Sequence, residues 1–94
     1  MTPAFSVQAA PHYERLAKKL LRSHRDFVEV QAQAGAILSA DPYNVSRQHH
    51  IKKLEGVAPG DGQFRLTMGR WRLRYDIVGR EVRLVYCGLR REDT

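Results

Sequence analysis

The 94-residue chain has little of the chemistry that stabilises or anchors many small proteins. Its one cysteine, Cys87, excludes a disulfide within the chain, and no Cys or His spacing resembles that of a structural zinc site. No apolar run approaches the roughly 18 residues of a membrane-spanning helix, and residues 1–7 lack the features of a signal peptide. We therefore expect a single cytoplasmic domain over residues 1–94, without membrane association, that depends on packing alone.

Acidic residues are scarce relative to basic ones in the second half of the chain. Residues 1–46 hold five Lys and Arg against four acids, whereas residues 47–94 hold eleven against six, and the net charge is +6. Most of these bases are arginine, whose planar guanidinium suits bidentate contact with phosphate. The distribution indicates a phosphate-rich partner for the second half. The alternative is a solvated basic surface that serves solubility.

The apolar residues of the first half recur at helical spacing. Between residues 13 and 21 they fall at i, i+3, i+4, i+7 and i+8, with basic residues on the other face. A second apolar stripe covers residues 27–38, where Ser23 is placed to cap the helix and Asp41-Pro42 to end it. These patterns predict a helical hairpin, and residues 4–7 before it are predicted as a short strand.

In the last third of the chain the apolar period becomes two. The pairs Gly69-Arg70 and Gly79-Arg80 divide this segment into three runs, which predicts an antiparallel meander with two-residue turns. One register then brings the large apolar residues onto one face, with Leu66 opposite Leu73 and Leu73 opposite Tyr86. The prediction is an α+β fold: a short N-terminal strand, a helical hairpin and a three-stranded meander, with both helices packed on one face of the sheet.

The same register predicts the residues on the solvent-facing side of the meander. They are Arg65 beside Arg74, Thr67 beside Arg72, and Asp76 beside Arg83, followed by Val85 and Cys87 on the third strand. Like charges directly opposite each other are unfavourable, so the pair Arg65 and Arg74 suggests a site where a bound anion relieves the repulsion. The alternative is an ordinary exposed sheet face that carries arginine without a ligand.

Four short motifs stand at defined points of this pattern. They are Lys53-Leu54-Glu55-Gly56, Phe64-Arg65-Leu66, Gly69-Arg70-Trp71-Arg72-Leu73-Arg74-Tyr75 and Gly88-Leu89-Arg90-Arg91. In this order, after a strand and two helices, the motifs resemble those of the RelE/ParE toxin superfamily, and the likeness covers nearly the whole chain. The resemblance implies a RelE-like fold and the toxin of a type II toxin–antitoxin module.

The ribonuclease branch of that superfamily cuts messenger RNA in the decoding site of the ribosome, and the resemblance implies this activity here. Three arginines match the positively charged catalytic residues of the family: Arg65, Arg72 and Arg90. The implied reaction is metal-independent attack of the RNA 2′-hydroxyl on the adjacent phosphate, which arginines stabilise electrostatically. Further phosphate contacts are expected from five bases: Lys52, Lys53, Arg74, Arg83 and Arg91.

The chain departs from the family where proton transfer is expected. Thr67 stands where some members have a second base, and Leu89 stands where His or Lys is frequent. His49 and His50, in the loop after the second helix, are the candidate general bases, because an unperturbed histidine titrates near neutral pH. The alternative is that both are solvated or contact ribosomal RNA.

The resemblance implies protein partners and no cofactor. The partners are a cognate antitoxin, in a toxin–antitoxin hetero-oligomer, and the ribosome with its messenger RNA; a chain at +6 attracts an acidic segment. A metal ion is not implied, because acids such as Asp61 and Asp76 are too scattered in the sequence to form a hard-cation cage.

Two other functions compete with RNA cleavage. The main alternative is the ParE-like branch, which shares the fold but inhibits DNA gyrase by binding and needs no catalytic arginines. A nucleic-acid-binding module without toxicity is disfavoured, because single-strand binders use aromatic stacking surfaces. Here the predicted register assigns the large aromatic residues to the core face: Phe64, Trp71, Tyr75 and Tyr86.

Overall fold

The computed structural model describes residues 4–90, which form two helices and one five-stranded mixed sheet. In chain order the elements are β1 (Ser6–Ala9), α1 (Pro11–Ser23), α2 (Phe27–Ala40), β2 (Ile51–Lys53), β3 (Phe64–Met68), β4 (Trp71–Val78) and β5 (Glu81–Leu89). The strand order is β1-β5-β4-β3-β2, with β1 parallel to β5 and all other neighbours antiparallel. No helix within residues 4–90 is long and apolar enough to cross a membrane.

The predicted α+β fold is confirmed, with one strand more than expected. The additional strand is β2, whose three residues pair with β3 at the edge of the sheet. A strand this short contains too few residues to show a period of two, so the sequence pattern did not reveal it. The N-terminal strand begins at Ser6, two residues later than predicted.

Both helices contribute to a single core on one face of the sheet. Its buried members are Tyr13, Ala17, Phe27, Ala34, Leu38, Leu66, Trp71, Leu73, Tyr75, Val82, Leu84 and Cys87. The Tyr75 hydroxyl donates a hydrogen bond to the carbonyl oxygen of Pro42 at 2.6 Å. This bond satisfies a buried polar group and ties the segment after α2 to the centre of the sheet.

The junction between the helices differs from the predicted capping. Helix α1 extends through Ser23, which therefore does not cap α2. Asp26 precedes α2, but its carboxylate bonds the sheet instead: Trp71 Nε1 donates to it at 3.0 Å, and Arg70 Nη2 donates to its two oxygens at 3.0 and 3.1 Å. The β3–β4 turn is thereby joined to the start of α2.

The register of the meander is as predicted except for a β-bulge in β5. Tyr75 faces Leu84 as expected, but the register then shifts, so that Arg74 faces Tyr86 and Leu73 faces Cys87. The predicted pairing of Leu73 with Tyr86 is therefore wrong. Cys87 is buried in the core and not on the polar face, while Tyr86 shares the side of Arg74. One extra residue reverses the facing of all that follow, which alternation alone does not reveal.

Candidate functional site

An open basic groove lies on the side of the sheet opposite the helices. It has a volume of about 640 Å³, and none of the described residues that line it is acidic. The lining consists of His49, His50, Ile51, Lys52, Arg65, Thr67, Gly69, Arg72 and Arg90. The structure therefore brings together the three arginines that match the family's catalytic bases, both candidate histidines and one of the predicted phosphate-binding lysines.

Strand pairing explains why the central bases of the groove share one side. Lys52 on β2 lies opposite Arg65 on β3, and in the next row Thr67 lies opposite Arg72 on β4. Residues directly opposite each other point to the same face of a sheet. Arg90 is brought beside them because its backbone N–H donates to the carbonyl oxygen of Arg70 in the β3–β4 turn, at 2.7 Å.

Arg65 contributes a donor that the described residues leave unpaired. Its Nε is buried and has no hydrogen-bond partner among residues 4–90. A buried N–H without an acceptor is unfavourable, since the group has lost its bonds to water. Arg65 is also one of the residues that line the groove.

The loop after α2 holds the two histidines at the edge of the groove. The Asn44 side chain bonds both backbone groups of His49, at 2.9 Å to the carbonyl oxygen and 3.1 Å to the N–H. The carbonyl oxygen of His50 accepts a hydrogen bond from Thr67 N–H on β3 at 2.9 Å. His50 is exposed, whereas the His49 side chain retains 24% of its accessible area. The two histidines therefore differ in their access to solvent.

Asp41 organises this loop from its first residue. Its carboxylate accepts hydrogen bonds from the Ser46 hydroxyl at 2.6 Å and from the N–H groups of Val45 and Ser46 at 2.7 and 3.1 Å. These contacts hold the pKa of Asp41 below its ordinary value. The hydrogen bond from the Ser46 hydroxyl has the largest effect, and the two N–H groups and the nearby His49 have smaller ones. His49 Nε2 lies 3.9 Å from Asp41 Oδ2.

The loop between β2 and β3 covers the part of the polar face next to the groove. We call residues 54–63 the strap. The buried Asp76 carboxylate accepts hydrogen bonds from the N–H groups of Gly60 at 3.2 Å, Gly62 at 3.0 Å and Gln63 at 3.0 Å. Arg74 donates from Nε and Nη2 to the carbonyl oxygen of Gly62, at 3.2 and 3.1 Å. Arg74, predicted to bind phosphate, is thus engaged by the strap and does not line the groove.

Two further predicted phosphate-binding residues, Lys53 and Arg83, do not line the groove. Lys53 is on the opposite face from Lys52, with its Nζ 5.8 Å from the centre of the Phe64 ring. Arg83 Nε donates to Glu81 Oε2 at 2.9 Å on β5. Arg91 lies outside the described residues, so its prediction has no structural counterpart here.

Tyr86 is a residue of the polar face that the predicted register missed. Its hydroxyl lies so close to Gly88 that a β-carbon there would clash with it. Gly88 is opposite Arg72, so the Tyr86 side chain lies over the Arg72 row of the sheet. A glycine inside a strand often marks such a close approach, and Gly88 was the available signal. The prediction that all four large aromatic residues of the meander face the core is therefore wrong for Tyr86.

Within residues 4–90, no group of three or more His, Cys, Asp and Glu side chains is arranged to hold a metal ion. The groove offers cationic and imidazole groups, which suit an anionic ligand such as a nucleic-acid phosphate. Comparisons of the chain with protein-family models, with curated proteins and with solved structures found no match.

Proposed function

We propose that this chain is a RelE-like toxin of a type II toxin–antitoxin module, acting in the cytoplasm as a ribosome-dependent endoribonuclease that cleaves messenger RNA. The observation that carries the proposal is the groove lined by Arg65, Arg72 and Arg90 together with His49 and His50. These residues come from separate parts of the sequence, and the resemblance of the motifs assigns the same three arginines to catalysis. Because none of the described residues that line the groove is acidic, the groove suits the negatively charged backbone of RNA.

The arginines supply electrostatic stabilisation of the reaction. The RNA 2′-oxygen attacks the adjacent phosphorus, and the bond from phosphorus to the 5′-oxygen of the next nucleotide breaks, leaving a 2′,3′-cyclic phosphate. Negative charge accumulates on the phosphorane oxygens between these events. Guanidinium donors that are already in place stabilise that charge without reorganisation. Arg65, which lines the groove, provides such a guanidinium.

His49 is the favoured general base for the 2′-hydroxyl proton. Its ring borders the groove, and the Asp41 carboxylate 3.9 Å away stabilises the imidazolium that forms when the proton is taken up. His50 lines the same groove but has no carboxylate within 4.0 Å among the described residues. The two histidines are therefore expected to make separable contributions.

The proposal includes a cognate antitoxin that inhibits the toxin in a hetero-oligomer. An acidic antitoxin segment over the groove would neutralise its bases and exclude RNA. The net charge of +6 supports attraction to such a segment.

The test of RNA cleavage is Arg72→Ala, with Arg22→Ala as the control. Both substitutions remove one positive charge, but Arg22 is an exposed residue in the last turn of α1 and lies away from the groove. Loss of transition-state stabilisation worth about 3 kcal/mol corresponds to a rate decrease of about 100-fold. We expect this decrease in a ribosome-containing extract for Arg72→Ala, with mapped transcript ends disappearing, and no comparable decrease for Arg22→Ala.

The same experiment discriminates against the ParE-like alternative. In that alternative, the purified wild-type chain cuts no RNA but inhibits the supercoiling activity of DNA gyrase, and Arg72→Ala retains the inhibition. This result would refute the ribonuclease proposal in favour of the ParE-like function. Circular dichroism of both variants checks that the helices and sheet are intact.

A further inference from the structure

The strap lies directly on the sheet. A β-carbon added at Gly62 would come within 2.7 Å of Val85 Cγ2 and 2.8 Å of Arg74 Cβ, and Gly62 has a φ of +83°. Both the close approach and the left-handed backbone require glycine. No space for a polynucleotide therefore exists between the strap and the sheet at this point.

Five hydrogen bonds fix this position, and all of them involve two residues of β4. Three strap N–H groups converge on the Asp76 carboxylate, and two Arg74 donors meet the Gly62 carbonyl oxygen. A carboxylate that accepts several N–H groups holds a loop more strongly than neutral acceptors do. The Leu54 N–H also donates to the Gln63 carbonyl oxygen at 2.7 Å, which closes the base of the strap.

The strap interrupts a row of bases that would otherwise cross three strands. This row begins with Lys52 on β2, which is opposite Arg65 on β3. Arg65 is in turn opposite Arg74 on β4. Lys52 and Arg65 line the groove, but Arg74 is engaged by Gly62 and does not. The continuous basic path therefore turns at Arg65 toward Arg72 and Arg90.

We propose that the strap is a wall of the RNA groove and that Asp76 is the positioning residue that holds this wall in place. The wall directs the RNA backbone along Arg65, Arg72 and Arg90 and denies it contact with Arg74. This inference rests on the proposed function, since it concerns how RNA enters the same groove. Asp76 acts through the strap and does not touch the RNA.

The test measures how strongly RNA affinity depends on salt. A fluorescein-labelled oligouridylate of about 12 nucleotides is titrated with the full chain over a range of KCl concentrations. For single strands, each phosphate contact contributes about 0.7 to the slope of log affinity against log salt. Asp76→Asn replaces one acceptor oxygen by an NH2 group that faces the strap N–H groups. We expect faster hydrogen exchange at Gly60, Gly62 and Gln63 and a slope steeper by about 0.7, because Arg74 becomes available.

A second substitution identifies Arg74 as the source of the added contact. Arg74→Gln is expected to reduce the slope more in the Asp76→Asn background than in the wild-type background, and the double variant should retain the fast exchange. A merely structural role for Asp76 would not produce this coupling between the two positions. The matched control is Asp61→Asn, which removes the same charge from an exposed position in the strap and should leave the exchange unchanged.

Gly62→Ala provides a route that leaves Asp76 in place. The added methyl group clashes with Val85 and Arg74 and is expected to lift the strap and steepen the slope in the same way. Fast exchange of the strap with an unchanged slope in both variants would show that the strap is not a wall of the groove. A failure of every variant to bind oligouridylate would also refute the proposal. Unchanged exchange in Asp76→Asn would overturn the positioning role. Absence of cleavage with the expected slopes would refute only the proposed ribonuclease activity, because this assay requires no cleavage.

Discussion

Arg65 and Arg74 lie directly opposite each other on β3 and β4, but their guanidinium groups have different surroundings. Arg74 donates two hydrogen bonds to the Gly62 carbonyl oxygen, whereas the buried Nε of Arg65 has no partner among the described residues. The repulsion predicted from the sequence is thus moderated on the Arg74 side by hydrogen bonds to the strap. Arg65 remains directed to the groove with one unsatisfied donor.

This difference predicts that Arg65 promotes RNA cleavage but does not stabilise the fold. Arg65→Gln removes the unsatisfied buried N–H and one of two opposed positive charges, so the free energy of unfolding should stay constant or rise by about 1 kcal/mol. RNA cleavage should fall by about 100-fold, because a donor to the phosphorane is lost. Urea unfolding and a cleavage assay measure the two effects. A large loss of stability would show that Arg65 is chiefly structural.

The two histidines are expected to differ in their effects on cleavage. His49→Gln should reduce the rate by about 100-fold, a value within the usual range for loss of a general base, and should flatten the acidic limb of the pH–rate profile. His50→Gln serves as the matched control, because His50 lines the groove without a carboxylate beside it. Profiles of the same shape for wild type and His49→Gln would remove His49 from proton transfer.

The Cys87 thiol is expected to be unreactive in the folded chain. The side chain is buried in the core, and this burial raises the pKa of the Cys87 thiol to about 12. The thiolate, which is the reactive form, is therefore rare at neutral pH, and reagents have little access. An aromatic disulfide reagent should react slowly with the native chain and rapidly after denaturation. Fast reaction without denaturant would contradict the core position that the β-bulge gives to Cys87.

Stability is expected to decrease in acid because of Asp26. The hydrogen bond from the Trp71 indole, followed by the interactions with Arg70, holds the pKa of Asp26 below its ordinary value of 3.8. A carboxyl group with a lowered pKa in the folded state contributes stability above its unfolded pKa, and that contribution is lost as the pH falls through the folded value. The free energy of unfolding should therefore decline below about pH 4.

Asp26→Asn tests the origin of this decline. Denaturant unfolding at about pH 7 and at about pH 3, followed by the fluorescence of Trp71, should show a smaller acid effect in the variant than in the wild type. The remaining acid effect should include Asp41, whose pKa is also lowered, first by the Ser46 hydroxyl. Equal acid effects in both proteins would mean that Asp26 does not contribute.

The sequence predicted those parts of the fold that depend on local periodicity. The stripes of α1 and α2 and the alternation in β3 and β4 were sufficient, because one register placed Leu66, Leu73 and Tyr75 on a common buried face. The bulge in β5 escaped prediction, because its extra residue leaves the composition of the strand unchanged. Its effect was to exchange the sides of Tyr86 and Cys87.

The arginines of the candidate site could be predicted from the sequence, but the strap beside them could not. Arg65 and Arg72 follow from strand register, whereas the strap is irregular and meets the sheet through Asp76 over thirteen to sixteen residues of sequence. No alternation or motif indicates which side chain will accept the N–H groups of a loop. Arg74 was therefore assigned to phosphate although the Gly62 carbonyl oxygen already accepts its hydrogen bonds.

The parallel pairing of β1 with β5 has a consequence for synthesis of the chain. The first strand cannot pair until the last one has been made, since Ser6 is opposite Glu81 and Ala9 is opposite Leu84. The pairing of β1 with β5 joins the two ends of the described sequence, and such non-local contacts form late. Arg90 joins the groove only after β5 has paired with β4. A nascent chain therefore lacks a complete groove until β5 has left the ribosome and paired with β4.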